Sequence, residues 1–315
     1  MPDRVAESAG RGATASQLRT VFMGTPEIAV PALRMLAART RVSCLITQPD
    51  RPAGRGHQLH VPPIKEAALA CGLPVWQPET LKGAETDERL ACDLVVVMAY
   101  GELLRQPVLD RPRHGCINLH ASLLPRWRGA SPLQAAIRAG DPRTGVSVMR
   151  MVRGLDAGPV FLAEEIPLEP HATLPGLHDA IALIAASALD RFLTLWPDVA
   201  EHPQDESRVT LCRKLTAEDG HLDPTQGAAA IERWVRAYTP SPGCWLSVSG
   251  ERVRILAVEA RPGALPAGQV AQVDGEILIG CGEGMIAVTR LQLPGKRAMT
   301  AREFLNGHRL PGSVG

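Results

Sequence analysis

The sequence predicts an α/β fold: a Rossmann-like, mainly parallel sheet with helices on both faces, followed by a small C-terminal antiparallel β-barrel of OB-like type. Three observations predict it. Apolar strand-length runs alternate with helix-length segments as far as about residue 196, the pattern of strand–helix–strand units. The run DLVVVMAY (93–100) is apolar throughout, as a strand buried on both faces requires. Past residue 198 the pattern turns to short alternating strands with Gly turns, the signature of a small barrel. A chain of 315 residues, 45% hydrophobic, has room for two domains with real cores. The expected division is a disordered tail over 1–17, a first domain over 18–197, a linker over 198–222 and a second domain over 223–315.

In chain order, MPDRVAESAGRGATASQ has no apolar core segment and is not a signal peptide. LRTVFMG (18–24) is a strand ending at Gly24. Thr25-Pro26 opens a helix to about Ala38, with Thr25 as its N-cap and Pro26 in its first turn. RVSCLITQ (41–48) is a second strand, and PPIKEAALACG (62–72) a helix stopped by Gly72. PVWQ is a short strand and ETDERLAC a short helix. DLVVVMAY and CINLH (116–120) are strands. The helix SPLQAAIRAG (131–140) and the strand TGVSVMRMV (144–152) follow. GPVFLAEEIPL (158–168) is another strand, and LHDAIALIAASALDRFLTLW (177–196) a long helix with a wide apolar face. The polar EHPQDESR belongs to the linker. Beyond it lie a helix, AAAIERWVRAY (228–238), and the barrel strands CWLSVSG, VRILAVEA, GQVAQVDGEILIG and GMIAVTRLQL. A final helix, TAREFLNG, ends at Gly307.

Composition narrows the function. Net charge is +1, so the chain as a whole is not a basic nucleic-acid binder. Local charge says more. From Arg105 to Arg153 nine arginines face two acids, Asp110 and Asp141; from Arg290 to Arg309 five basic residues face Glu303. RPAGRGHQLH (51–60) has two arginines, two histidines and no acid. Each patch taken singly reads equally as a solvated face; three in a near-neutral chain point to a polyanionic partner. Seven scattered cysteines with no CxxC indicate reduced thiols in a cytoplasmic protein rather than disulfides or a zinc site. No apolar run reaches the roughly 18 residues of a membrane span. The pair in HQLH, His57 and His60, has no third ligand in view, and no metal is expected.

The stretch CINLHASLLPRWRGASP (116–132) carries the chemistry. Alternate strand residues share a face, so Asn118 and His120 point the same way. CINLH, the following helix and the strand 144–152 read as a βαβ unit with parallel strands and a right-handed crossover. Both strand ends then meet one edge, where GLDAGPV (154–160) holds Asp156. His120 and Asp156, 36 positions apart, are expected at the mouth of the sheet, where open α/β folds bind ligands. An amide can donate to a developing oxyanion, and an imidazole can donate or carry a proton under the control of a carboxylate. No GxSxG, HExxH or GxxxxGK[ST] is present. The trio therefore fits acyl transfer to a substrate that brings its own nucleophile; the blander reading is that Asn118 and His120 satisfy backbone groups at a strand end.

INLHASLLPRWRGASP with GLDAGPV closely resembles the folate-dependent formyltransferases, which share an Asn-x-His, a following Ser-Leu-Leu-Pro and a distal Asp. VFMGTPEIAV, TQPDRPAGRG, VVVMAYG, TGVSVM and LPGKRAMTAREFLNG narrow the resemblance to the branch acting on methionyl-tRNA, over about residues 19–310. Two stretches depart from the pattern: Ala121 stands where Gly is usual, and TPSPGCW (239–245) replaces NPWPxxW.

The resemblance implies an enzyme that moves the formyl group of 10-formyltetrahydrofolate to the α-amine of initiator methionyl-tRNA. Asn118, His120 and Asp156 would be catalytic. Ser122, Leu123, Leu124 and Pro125, with Tyr100 and Gly101, would wall the folate. Arg55, between Gly54 and Gly56, would enter the acceptor end, aided by Arg51, Arg126 and Arg128; Lys296 and Arg297 would give the barrel a tRNA surface. A cis Leu124–Pro125 bond, a monomer and no membrane partner are also expected. Two rival readings are a formyl-folate enzyme with another fate for the formyl group (an amino sugar, glycinamide ribotide or water) and a dinucleotide enzyme or non-catalytic tRNA binder. VFMGTP has one glycine of GxGxxG, which weakens the dinucleotide reading.

Overall fold

The structure, a computed structural model, describes residues 14–53 and 58–315. After a 3-10 turn (Ala15–Gln17) come strand β1 (Arg19–Gly24), helix α1 (Val30–Arg39) and strand β2 (Arg41–Ile46). A small antiparallel ribbon of β3 (Arg51–Ala53) and β4 (Gln58–His60) leads to α2 (Pro63–Ala70) and β5 (Val75–Trp76). Next are β6 (Leu94–Met98), α3 (Gln106–Leu109), β7 (Cys116–His120) and the two-residue β8 (Arg128–Gly129). Then follow α4 (Pro132–Ala139), β9 (Arg143–Arg150), β10 (Val160–Pro167) and α5 (Leu174–Leu195).

The main sheet has the order β10-β9-β7-β6-β1-β2-β5. Its five strands from β7 to β5 are parallel. Every residue of β6 is buried, as a strand covered on both faces must be. Val21 and Met23, Cys44 and Ile46, and Val95 and Val97 turn to one face, where they pack with Leu90, Val108 and Leu109. Phe22, Leu45 and Val96 alternate to the other.

The C-terminal part holds β11 (Leu211–Cys212), which pairs with β8, and α6 (Ala228–Tyr238). Gly129 (φ 122°) lies so close to the Cys212 carbonyl that a Cβ there would collide with it. An antiparallel sheet of six strands follows: β12 (Cys244–Val248), β13 (Glu251–Arg261), β14 (Val270–Val273), β15 (Glu276–Gly280), β16 (Met285–Gln292) and β17 (Ala298–Thr300). Two hairpins turn on Ser249-Gly250 and Asp274-Gly275, all four residues at positive φ, as two-residue turns between twisted strands require. Leu246, Ile255, Ile277, Val288 and Leu291 close with Phe304 of α7 (Ala301–Leu305) around an apolar interior.

Packing divides the chain into two compact units. One comprises the chain up to Pro125, Gly145–Glu164 and Ile181–Ser207; the other comprises Arg126–Thr144, Glu165–Ala180 and Arg208–Gly315. The second unit thus takes α4 out of the linear span 18–197. Arg138 of α4 lies 4.0 Å over the Trp234 ring and donates to the Tyr238 hydroxyl, tying α4 to α6.

Three local expectations change. The helix expected from Thr25 begins as a 3-10 turn (Glu27–Ala29), and α1 starts at Val30. Pro31 has no N–H to donate, so it fits only a first turn. Thr25 is not an N-cap; its hydroxyl donates to the Tyr100 carbonyl at 2.9 Å. Most of the expected tail lies outside the described residues, but Ala15–Gln17 are ordered as a turn closed by a Thr14–Gln17 capping box.

The third change concerns β7 and β9, which are antiparallel rather than parallel: Ile117 pairs with Arg150 and His120 with Ser147. The stretch from 116 to 150 is therefore not a βαβ crossover.

Candidate functional site

β1, β6 and β7 end level with one another, Gly24 beside Met98 and Val97 beside Asn118. The chain runs from β1 outward to β2 and β5, then returns to β6 on the other side of β1. That reversal opens a crevice at the carboxyl ends of the strands. Asn118 and His120, two apart on β7, face the same way; Asn118 is half-buried and His120 buried.

Asp156 reaches this place by a route the sequence did not suggest. β9 ends level with the start of β7, where Met151 N–H donates to the Cys116 carbonyl. β10 then returns antiparallel to β9, with Arg150 N–H bonded to the Pro159 carbonyl at the hairpin base. The loop between them folds back along β7 and sets Asp156 Oδ2 3.6 Å from His120 Nδ1. That separation is a charge–imidazole contact, longer than a made hydrogen bond. Asp156 has φ 46°, the left-handed region that few residues with a Cβ adopt.

Beyond β7, the turn Ser122–Pro125 is held from β9. The Ser147 hydroxyl donates to the Ser122 carbonyl (2.8 Å) and accepts from Leu124 N–H (3.0 Å). The Leu124–Pro125 bond is cis, as expected. Beyond β6, Gly101 is exposed at φ 94° and Tyr100 is buried. Burial pushes the Tyr100 phenol well above its ordinary pKa, and its hydroxyl has no partner among the described residues. The site is thus an amide, an imidazole and a carboxylate at a crevice edged by two turns. Such a set can hold an oxyanion and pass a proton.

Two family models match the chain: formyl transferase over residues 19–193 and formyl transferase, C-terminal domain, over 214–309. This chain belongs to the formyl transferase family. Methionyl-tRNA formyltransferase of Halorhodospira halophila is 49% identical over 301 residues, 93% of this chain and 97% of that protein. The protein of the same name from Ruegeria pomeroyi is 44% identical over 93% of this chain and 98% of its own. Among solved structures, the N-formyltransferase of Helicobacter canadensis, determined with folinic acid and dTDP-3-aminofucose, has the same fold (TM-score 0.65, 12% identity, 86% of this chain and 99% of that one). The methionyl-tRNA formyltransferase of Clostridium thermocellum also shares it (TM-score 0.52, 14% identity, 88% and 98%).

The basic residues singled out from the sequence are placed unequally. Arg51, Lys296 and Arg297 are exposed, and Arg297 pairs with Glu303 at 3.1 Å. Arg126 makes a two-pronged contact with Asp141 (2.8 and 2.5 Å), which also accepts from Trp127 Nε1 at 2.7 Å. Arg128 is 5% exposed, so its guanidinium is not offered to a bulky polyanion as a loop arginine was expected to be. Arg55 and His57 lie outside the described residues. Among the described residues no three His, Cys, Asp or Glu side chains converge as a metal site, and no helix is long and apolar enough to cross a membrane.

Two residues of the site escaped the sequence reading. Ser147 left one trace, a polar residue inside an apolar strand. Gln204, whose Nε2 donates to the Asp156 carbonyl at 2.8 Å, left none: it is a polar residue in a polar stretch.

Proposed function

We propose that the chain transfers the formyl group of 10-formyltetrahydrofolate to the α-amine of methionine esterified to initiator tRNA, preparing that tRNA for translation initiation. The observation that carries the reading is the meeting of Asn118, His120 and Asp156 at one crevice of a chain with relatives of that name at 44–49% identity. An α-amine has a pKa of about 8, so a fraction is neutral at pH 7 and can attack. The new N–C bond forms as the formyl oxygen takes up charge. Asn118 and the Nε2 side of His120 donate to that oxyanion, while Asp156 orients the imidazole. Collapse breaks the bond to folate N10. The proton lost by the attacking amine passes through His120 or Asp156 to that nitrogen.

On this reading the turn Ser122–Pro125, with Tyr100 and Gly101, walls the folate. Residues 18–197 carry the chemistry, and 223–315 add a tRNA surface with Lys296 and Arg297. Arg51 and Arg55 meet the acceptor end, and the protein works as a cytoplasmic monomer. Labelled formyl transfer to charged initiator tRNA, elongator methionyl-tRNA and an amino-sugar nucleotide tests it. Transfer to initiator methionyl-tRNA alone is expected; preferred transfer to the sugar, or release of formate, overturns it. Arg55→Ala should slow transfer to initiator tRNA and leave folate binding intact, with only partial rescue by Arg55→Lys, which lacks the planar fork of donors.

A further inference from the structure

Asp156 sits in a conformation that its own sequence does not enforce. A residue with a Cβ at φ 46° has lower-energy alternatives and stays there only if its surroundings hold it. The base of the loop is closed by the Arg150–Pro159 hydrogen bond and by Gly158, where a Cβ would collide with the Arg150 carbonyl. The tip is held from elsewhere. Gln204 Nε2 donates to the Asp156 carbonyl (2.8 Å) and to the Gly158 carbonyl (2.7 Å). One side-chain amide has two donors, and here both are spent on peptide planes flanking the loop's turn.

The segment bearing Gln204 is itself fixed to the same hairpin. Glu201 accepts from Arg150 Nε at 2.7 Å, and His202 and Val160 exchange two backbone hydrogen bonds of 2.9 Å each. Gln204 therefore reaches the loop from a strip stitched along the start of β10, within the same compact unit as His120 and Asp156.

We propose that Gln204 is a positioning residue for Asp156: its amide holds the Asp156 and Gly158 carbonyls and so aims the Asp156 carboxylate at His120. This rests on the function proposed above. Without the two donors, the backbone at 156 relaxes and the carboxylate leaves its place. Displacement of a catalytic group by about 1 Å costs on the order of 10²-fold.

The test is a double-mutant cycle on the full chain, with 10-formyltetrahydrofolate and charged initiator tRNA as substrates. Gln204→Met keeps the length of the side chain and removes the donors. It should lower kcat about 10- to 100-fold while both KM values stay within about twofold. Gln204→Lys restores donors and should recover most of that loss. In an Asp156→Asn background, Gln204→Met should add nothing, because its partner is already disabled. The kcat pH profile of Gln204→Met should resemble that of Asp156→Asn. An equal fall in kcat in both backgrounds, a change confined to KM, or no change in Gln204→Met overturns the role of Gln204. Full activity of Asp156→Asn by itself overturns the catalytic reading, and with it this one, and is seen in the single variant before Gln204 is touched.

Discussion

Nδ1 of His120 and Oδ2 of Asp156 stand 3.6 Å apart, with side chains only 6% and 15% exposed. So little water surrounds the pair that the carboxylate acts on the imidazole with little screening. In the proposed reaction this pair lies where the oxyanion forms, with Asp156 orienting the His120 ring. Asn118→Ala and His120→Ala should each lower single-turnover formyl transfer on the order of 10²–10³-fold, the loss typical of an oxyanion donor. Asp156→Asn should be comparably severe, while folate affinity, read by equilibrium titration, changes little. Near-normal transfer in any of the three removes that residue from the mechanism.

Ser147 is fully buried and serves two backbone groups of the neighbouring turn, the Ser122 carbonyl and the Leu124 N–H. Ser147→Ala deletes both hydrogen bonds and leaves the Leu124 N–H without the acceptor it has here. A buried unsatisfied group costs about 1–3 kcal/mol. The variant should lose stability of that order in chemical denaturation, and its KM for formyl-folate should rise more than its kcat falls. An unchanged KM would detach the Ser122–Pro125 turn from folate binding.

The sequence showed the residues of the site more clearly than the path that joins them. Asn118 and His120 were legible because period-two alternation fixes which side chains share a face. The direction of β9 was not: an apolar strand reads alike both ways, and its partner is set by where the loop after β7 sends the chain. The parallel reading still brought Asp156 to His120, because a hairpin loop folded back over the strand reaches the same place as a strand end. Arg128 misled for another reason. Arginine is ordinarily exposed, and no local pattern shows that this one, on the two-residue strand paired with β11, is buried. Gln204 acts through its distance from a turn 46 to 48 positions away, which no local pattern encodes.

The thiols offer an independent check of burial. Cys71 is exposed, and the other six cysteines are buried. Burial pushes the Cys92 and Cys244 thiols up to about 12, and raises those of Cys44, Cys116 and Cys281 as well. It is the thiolate that attacks a thiol reagent, so such groups are slow even when briefly reached. At pH 8 the native protein should titrate one thiol with an aromatic disulfide reagent, and the denatured protein all seven. Cys71→Ser should abolish the native reaction. Fast labelling that survives in Cys71→Ser would contradict the packing of the six.

Acid should loosen a clasp in the second unit. The Asp219 carboxylate accepts from Arg213 Nη1 (2.9 Å), from Thr216 N–H (2.7 Å) and from the Thr216 hydroxyl (2.8 Å), with Arg213 Nη2 as a further donor. The Arg213 guanidinium first, and then Thr216 N–H, hold the Asp219 carboxyl well below the usual carboxylate range. The carboxyl is 12% exposed although Arg213 is 69% exposed, so solvent screening moderates the pair. The pKa is lower folded than unfolded. The clasp therefore stabilises fully above the unfolded value of about 3.9 and fades as pH falls from there toward the folded value. Asp219→Asn keeps the shape and removes the charge, so it should be less stable than the parent at pH 7, with the gap closing below about pH 3.9. Trp234 Nε1 donates to the Asp219 carbonyl at 3.2 Å, which puts a fluorophore on the clasp. Denaturation followed by tryptophan emission at pH 7 and pH 3 measures the gap. A gap of the same size at both would show that the charge on Asp219 contributes nothing to the fold.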